Sequence, residues 1–360
     1  MSPHSRLCCT LLWLLAASTA ALGAEPAREQ HPGIVTSYET LVTRDGTKLG
    51  TIVTKPQSAH GKLPAILFVQ WLSCNTVAIG EKPRDGWSMM LREIVRRSGA
   101  LVWRTEKRGI AGSEGTCATM DYATELQDHR DALDALRRRD DVDTQRIVIF
   151  GGSIGGTYAP LLASDQDLAG VMIWGAGAST WAERTLAFER HALELSGADP
   201  ATLSREMSLR FQFLERYLIQ RMTPQQIAAA DAPVGAVWSR IVGTTANDQY
   251  GRPFAFHQQA HHADWAGAWS RVRAPVLAVY GEYDWFESRE AASLIARIVN
   301  AKTPGHGAFV EIPRMNHHFD RFPTLVDAFH ERKGETDATP AVTAMLDWLN
   351  GRVGFDGVTR

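Results

Sequence analysis

A strand-like run leads directly into a glycine-rich turn and then a helix-like run, and this succession constrains the fold more than any other stretch. Arg146 to Phe150 is apolar and rich in β-branched residues, which predicts a buried strand. The run continues into Gly151-Gly-Ser-Ile-Gly155, a G-x-S-x-G motif, and residues 157–164 favour a helix. A sharp turn of this kind lifts a serine hydroxyl clear of the backbone, in front of a helix N-terminus. We therefore predict that Ser153 is a nucleophile.

The glycines of the motif have a geometric reason, because strand and helix pass so close that flanking side chains would clash. The alternative interpretation is a glycine-rich turn between a strand and a helix in some other α/β protein. The dinucleotide-binding fingerprint is excluded, because Ser153 stands where the second glycine of G-x-G-x-x-G would be.

The N-terminal 24 residues have the pattern of a secretory signal peptide. Arg6 supplies the positive charge, residues 7–21 are apolar, and Ala-Leu-Gly-Ala24 offers small residues for cleavage. The apolar run is short for a membrane span, although a retained N-terminal anchor is the alternative. We expect an exported protein, periplasmic or secreted, with no stable membrane insertion after cleavage.

The exported chain is close to neutral and keeps two cysteines. Removing residues 1–24 takes away one arginine and no acidic residue, so the net charge changes from −2 to −3. This balance favours neither nucleic acid nor an anionic membrane as a partner. Cys74 and Cys117 each follow a predicted strand near one edge of the sheet, so we predict a disulfide between them. Two separate buried thiols are the alternative.

Alternating strand and helix patterns predict an α/β fold. Two β-rich runs, 36–42 and 48–54, flank an Asp-Gly turn and predict an N-terminal hairpin. From residue 65 to 174 strands and helices alternate, and they do so again from about residue 275, as in a mostly parallel, doubly wound sheet.

The alternation stops in the middle of the chain. About ninety residues carry helix patterns at 183–195, 203–221 and 224–230, followed by a mixed aromatic segment, and they predict an inserted helical cap. We therefore predict a core made of residues 25–177 and 271–360, with a cap at 178–270. The cap is rich in aromatic residues, which either line an apolar pocket or pack against the sheet: Trp174 at its start, then Trp181, Trp238, Tyr250, Phe254, Phe256, Trp265 and Trp269.

A serine nucleophile needs a base and an orienting acid, and two later strands supply candidates. Gly281-Glu-Tyr-Asp284 follows one strand, and Asn316-His317-His-Phe319 follows the next. In doubly wound folds such positions share one edge of the sheet, and the order Ser, acid, His is that of this fold. We predict Asp284 and His317, with Glu282 or Glu287 and His318 as the respective alternatives.

With these motifs the chain resembles the α/β-hydrolase superfamily from about residue 36 to 349. The serine turn resembles the nucleophile elbow, residues 281–284 its G-x-x-D turn, and residues 316–319 its D-H-x-F loop. Residues 108–115 resemble the R-G-x-G-x-S-x-G loop. The hairpin, followed by Lys62-Leu-Pro64 before a strand, is similar to prolyl-dipeptidyl-peptidase-like, dienelactone-hydrolase-like and serine aminopeptidase-like members. Gln70-Trp71 departs from the usual His-Gly, and Glu106 from the usual Asp.

The resemblance implies an acyl-enzyme mechanism that needs no cofactor or metal. Ser153 would attack a carbonyl carbon, and an oxyanion would bind the N–H of Ile154 and a second N–H from Trp71 or Leu72. A small-molecule ester or a peptide is the expected substrate, and esterase and peptidase remain alternatives. A catalytically silent binding protein on this fold is a further alternative, and a dehalogenase is disfavoured because the elbow holds serine. The patterns make no prediction of the oligomeric state.

A histidine cluster in the cap is the remaining candidate site. His257, His261, His262 and Asp264 include an i, i+4 histidine pair, which is one face of some metal sites. Nothing similar to a glutamate that would activate a metal-bound water accompanies it. We therefore favour a packing or solvated cluster and predict no metal.

Overall fold

A central sheet of eight strands organises the structure, a computed structural model that describes residues 28–359. The predicted signal peptide at residues 1–24 lies outside the described residues. Within residues 28–359, no helix combines the length and the apolar character that a membrane crossing requires. The strands are β1 Ile34–Val42, β2 Lys48–Pro56, β3 Leu63–Val69, β4 Leu101–Thr105, β5 Val142–Gly152, β6 Gly170–Trp174, β7 Val276–Gly281 and β8 Gly307–Ile312.

The strand order is β1-β2-β4-β3-β5-β6-β7-β8. β1 and β2 form the predicted hairpin, in which Val42 pairs with Lys48 and Gly46 adopts a φ of +85° that suits glycine. β2 also runs antiparallel to β4, whereas all other neighbours are parallel. The prediction of a mostly parallel α/β sheet with an N-terminal hairpin is confirmed.

Helices cover both faces of the sheet because successive strand residues point to opposite sides. The helices of the core are α1 Gly86–Arg97, α2 Tyr122–Arg137, α3 Gly155–Ala163, α10 Arg289–Lys302, α11 Leu325–Phe329 and α12 Thr339–Trp348. On β3, Ile66 and Phe68 pack towards α1 and α12, whereas Leu67 and Val69 pack towards α2, α3 and α10.

The segment predicted as a cap connects β6 to β7 and is helical. The predicted helix at 203–221 begins earlier, where Asp199 caps α5, and continues after Leu214 as a π-helical turn. The mixed aromatic segment holds three short helices that the sequence analysis did not predict. The helices are α4 Trp181–Leu195, α5 Pro200–Leu214, α6 Pro224–Ala230, α7 Ala232–Gly235, α8 Phe254–His262 and α9 Trp265–Ser270. The cap boundaries at 178 and 270 stay a prediction.

Candidate active site

Ser153 occupies the sharp turn between β5 and α3. Its φ is +55°, in the left-handed region that non-glycine residues rarely adopt, and its N–H donates to the carbonyl of Trp174 at 2.8 Å. The motif glycines allow this turn: a Cβ on Gly155 would lie 2.0 Å from the carbonyl oxygen of Val69, and one on Gly151 would lie 2.6 Å from that of Gly155. The backbone strain at Ser153 is therefore built into the fold.

Ser153, His317 and Asp284 form one chain of hydrogen-bond contacts. His317 Nε2 lies 2.9 Å from Ser153 Oγ, and His317 Nδ1 lies 2.7 Å from Asp284 Oδ2. Asp284 is fully buried, and its other oxygen accepts the N–H groups of Phe286 at 2.9 Å and Glu287 at 3.1 Å. The carboxylate is thus fixed on both oxygens, with one facing the imidazole.

The rival acids have other partners. A carboxylate oxygen of Glu282 accepts the N–H of Arg314 at 2.7 Å. Glu287 forms an ion pair with Arg184 at 3.4 Å, and burial raises its pKa above the usual value. The structure therefore brings Asp284, and neither glutamate, to His317.

His318 is close to the site but is not part of the chain of contacts from Ser153 to Asp284. Its backbone N–H donates to Asn316 Oδ1 at 2.9 Å, and burial lowers the pKa of its imidazole to about 4. The phenylalanine two places after His317 explains the register, because Phe319 stacks on Trp174 with 4.2 Å between ring centroids. Gly175 leaves room for the base, since a Cβ there would lie 2.7 Å from His317 Cε1.

The predicted oxyanion residues surround Ser153. Leu72, Ser153 and Ile154 line a small cavity of about 20 Å³, and Trp71, Leu72 and Ser153 line a larger one. Ile154 immediately precedes α3. Among residues 28–359, the backbone N–H groups of Trp71, Leu72 and Ile154 donate to no protein acceptor. All three groups are therefore available to a ligand oxygen.

The larger cavity, about 600 Å³, opens next to Ser153 and His317. Four Trp, Tyr and Phe side chains contribute to its walls, and its charged residues are Arg184 and Asp85. Of the aromatic cap residues noted in the sequence, Tyr250 lines it, while Phe256 and Trp269 are buried in the core. The other aromatic walls are Trp71, Trp87 and Phe286.

The predicted disulfide is present and lies next to a buried group of charges. Cys74 and Cys117 are bonded, with 5.8 Å between their Cα atoms. The charges belong to Lys107, Glu125 and Arg252, and the side chain of each is at most 2% exposed. Burial and the nearby Arg252 guanidinium lower the pKa of Lys107 below its usual value. Sequence reasoning missed this group, because Arg252 comes from the cap segment and no local pattern marks it.

Of the cap histidines, His257 packs in the interior of the protein and His262 is exposed. His257 is buried, its Nε2 lies 3.1 Å from the carbonyl oxygen of Gln249, and its ring packs on Trp181. Burial lowers its pKa to about 3. No group of three or more His, Cys, Asp or Glu residues is placed to hold a metal ion within the range 28–359.

The strand order, the sharp turn at Ser153 and the contacts of His317 with Ser153 and Asp284 are those of an α/β-hydrolase. The family model of the X-Pro dipeptidyl-peptidases (S15 family) matches residues 45–310, and the chain belongs to this family of hydrolases. A curated relative, the α/β hydrolase domain-containing protein WAV2 of Arabidopsis thaliana, is 34% identical over 77 residues. That match covers 21% of this chain and 24% of WAV2, so it spans about a quarter of the relative.

Solved structures agree on the fold. Est1E of Butyrivibrio proteoclasticus, solved with ferulic acid, has a TM-score of 0.54 at 15% identity and covers 88% of this chain and 99% of its own. The α/β hydrolase GrgF of Penicillium sp. sh18 has a TM-score of 0.52 at 15% identity, covering 89% and 99%. An esterase of Pyrococcus furiosus has a TM-score of 0.50 at 12% identity, and the match covers 92% of this chain and 97% of the esterase. At these identities the likeness shows the fold alone.

Proposed function

We propose that this protein is an exported serine hydrolase that cleaves a carboxylic ester or amide through an acyl-enzyme. The observation that carries the proposal is the chain of contacts from Ser153 Oγ through the His317 imidazole to the Asp284 carboxylate, with separations of 2.9 and 2.7 Å. A serine hydroxyl is a poor nucleophile at neutral pH, and this arrangement is the one that activates it.

Each residue has a defined step. Ser153 Oγ attacks the carbonyl carbon while His317 Nε2 takes the hydroxyl proton, and the carbonyl oxygen becomes an oxyanion beside Ile154 N–H. His317 then donates that proton to the leaving oxygen or nitrogen as the acyl bond breaks. Water, deprotonated by the same imidazole, attacks the acyl-enzyme and releases the acid. Asp284 holds the Nδ1–H tautomer and stabilises the imidazolium in both halves.

The large aromatic cavity supports a substrate with an apolar group next to the scissile bond. Two of the similar structures are described as an esterase and as a complex with ferulic acid, and this favours an ester. A dipeptidyl-peptidase is the second candidate. The family name supports it, and the exposed Asp85 carboxylate at the cavity would suit the terminal ammonium of a peptide.

A substrate panel separates the two candidates. Purified protein is assayed on p-nitrophenyl esters of increasing chain length and on Xaa-Pro p-nitroanilides with free or acetylated N-termini. We expect turnover of the esters; preferential cleavage of the unblocked anilides would identify the peptidase. Ser153→Ala is the blank in every assay, and a Ser153→Ala protein as active as the wild type would reject the serine mechanism.

Export is supported by the signal-peptide pattern at residues 1–24 and by the Cys74–Cys117 bond, since disulfides persist in oxidising compartments. Intact-mass analysis of the protein recovered from periplasm and medium tests this part. We expect a mature N-terminus between about residues 21 and 25. An uncleaved chain confined to the cytosol would contradict it.

A further inference from the structure

A buried lysine contacts the loop that follows β3. The side chain of Lys107 is 1% exposed, and its ammonium donates to three consecutive backbone carbonyls, those of Trp71, Leu72 at 3.1 Å and Ser73 at 3.0 Å. Glu125 lies 3.3 Å away and supplies the opposite charge, which Lys107 shares with Arg252. A cation in the interior normally destabilises a fold unless it is paired and hydrogen-bonded, and here both conditions hold.

Although burial lowers the pKa of Lys107, the three carbonyl acceptors around its nitrogen match the protonated amine. An ammonium has three N–H donors, one for each carbonyl, whereas a neutral amine has two donors and would present its lone pair to the third oxygen. The backbone of residues 71–73 is therefore held by three charge-assisted bonds that meet at one atom. One residue further on, Cys74 is tied to Cys117, so residues 71–74 are held by both the lysine and the disulfide.

The direction of one N–H follows from these contacts. The C=O of Trp71 and the N–H of Leu72 belong to the same planar trans peptide unit, in which they point in opposite directions. Because the carbonyl of Trp71 faces Lys107, the N–H of Leu72 faces away from it. Leu72 lines the small cavity that Ser153 and Ile154 also line, and its N–H donates to no acceptor within residues 28–359.

We propose that Lys107 is a positioning residue that aims the N–H of Leu72 at the oxyanion, and that Leu72 rather than Trp71 is the second oxyanion donor. This inference rests on the proposed serine mechanism and extends it to a residue that never touches the substrate. A donor that is already aligned needs no reorganisation when charge develops on the carbonyl oxygen, so loosening it lowers the rate of the chemical step.

A transition-state analogue tests this role. In an aryl trifluoromethyl ketone, Ser153 Oγ adds to the carbonyl carbon, its proton passes to His317, and the ketone oxygen becomes an oxyanion. The matching trifluoromethyl carbinol fills the same space and forms no oxyanion. We expect Lys107→Met to lower kcat about ten- to hundredfold with little change in KM. The variant should lower the affinity for the ketone by a similar factor, while its affinity for the carbinol stays within about twofold of the wild type.

Arg210→Met is the matched control, because Arg210 is also a buried, ion-paired cation that contacts a backbone carbonyl, but it lies in the cap. It should lower stability and leave the ratio of ketone to carbinol affinity unchanged. An unchanged ratio of ketone to carbinol affinity in Lys107→Met would overturn the role of Lys107, whether both affinities fall equally or neither falls. A wild-type protein that neither hydrolyses esters nor adds to the ketone would instead reject the serine mechanism itself.

A backbone substitution keeps the test decisive if Lys107→Met does not fold. Replacing Leu72 with its α-hydroxy acid turns one amide into an ester, which removes the N–H and makes the Trp71 carbonyl a weaker acceptor for Lys107. We expect it to weaken the ketone selectively, about ten- to hundredfold, whereas the same replacement at Trp71 leaves the ratio as in wild type. Selective loss at Trp71 and none at Leu72 would overturn the assignment.

Discussion

The indole N–H of Trp174 donates to the backbone carbonyl of His317 at 3.0 Å. Trp174 ends β6, one strand away from the nucleophile strand, and His317 lies in the loop after β8. The bond therefore connects the loop that carries the base to the middle of the sheet. The same indole stacks on Phe319, so one side chain holds the loop through both a polar and an apolar contact.

Trp174→Phe tests this connection, because a phenyl ring keeps an aromatic contact with Phe319 and removes the N–H. We expect kcat to fall about ten- to hundredfold, since the imidazole is held less firmly opposite Ser153. Stability should fall by about 1–3 kcal/mol, because the buried carbonyl loses its donor. Trp103→Phe is the control: its indole N–H is also buried and donates to Thr105 Oγ1 on the same strand. An equal loss of kcat in the control would contradict a specific role for Trp174.

Asp284→Asn should reduce kcat by about 10³–10⁴-fold while the protein stays folded, because an amide no longer favours the Nδ1–H tautomer or stabilises the imidazolium. Steady-state kinetics on an ester, with circular dichroism to verify the fold, provide the measurement. Glu282→Gln is the matched change on the same turn, and its carboxylate contacts the N–H of Arg314 instead. The account would be wrong if Asp284→Asn kept near wild-type turnover, or if Glu282→Gln lost as much.

Removing the disulfide should affect both stability and rate. The bond joins cysteines 43 residues apart, and the chain-entropy model assigns such a loop about 4 kcal/mol. The double variant Cys74→Ala, Cys117→Ala should therefore unfold at lower denaturant and turn over ester more slowly, since Cys74 lies two residues after Leu72 in the same loop. Reductant should reproduce both effects in the wild type and change nothing further in the variant. Peptide mapping that recovers both cysteines of the purified wild type as free thiols would contradict the structure.

Buried neutral histidines predict a loss of stability in mild acid. Burial lowers the pKa of His257 to about 3, against an ordinary value of 6.5. As pH falls below 6.5 the unfolded chain binds a proton that the folded protein refuses, so this contribution to stability decreases with decreasing pH. Between pH 7 and pH 5 the linkage amounts to about 2 kcal/mol for this one residue.

Denaturant unfolding at the two pH values measures the effect as a difference between proteins. His257→Gln should lose about 2 kcal/mol less stability than the wild type on going from pH 7 to pH 5. His262→Gln serves as the control, because it makes the same change at an exposed position of the same helix. Parallel curves for wild type and His257→Gln would show that His257 is not held neutral.

Much of the fold follows from local patterns, and the shortfalls have physical reasons. The strand predicted to end at Phe150 continues to Gly152, because Gly152 still pairs with Trp174 on β6 despite its turn-like composition. The short cap helices were missed because their stability comes from tertiary packing rather than from their own sequence, as with the fully buried Phe256 in α8.

The residues of the candidate site also fall into two groups, those that short motifs predict and those that they do not. Ser153, Asp284 and His317 could be predicted because each occupies a short motif immediately after a strand, and parallel strands end at one edge of the sheet. Lys107 and Arg252 could not be predicted, because their positions depend on contacts between the core and the cap that no periodicity encodes.

In the proposed mechanism Ser153 carries the acyl group, and covalent trapping tests this role. A fluorophosphonate is incubated with the protein, and the adduct is located by intact mass and peptide sequencing. We expect one adduct per chain, on Ser153, with its formation abolished in Ser153→Ala and strongly slowed in His317→Gln. An adduct on another residue, or an unlabelled wild type that still hydrolyses esters, would contradict the account.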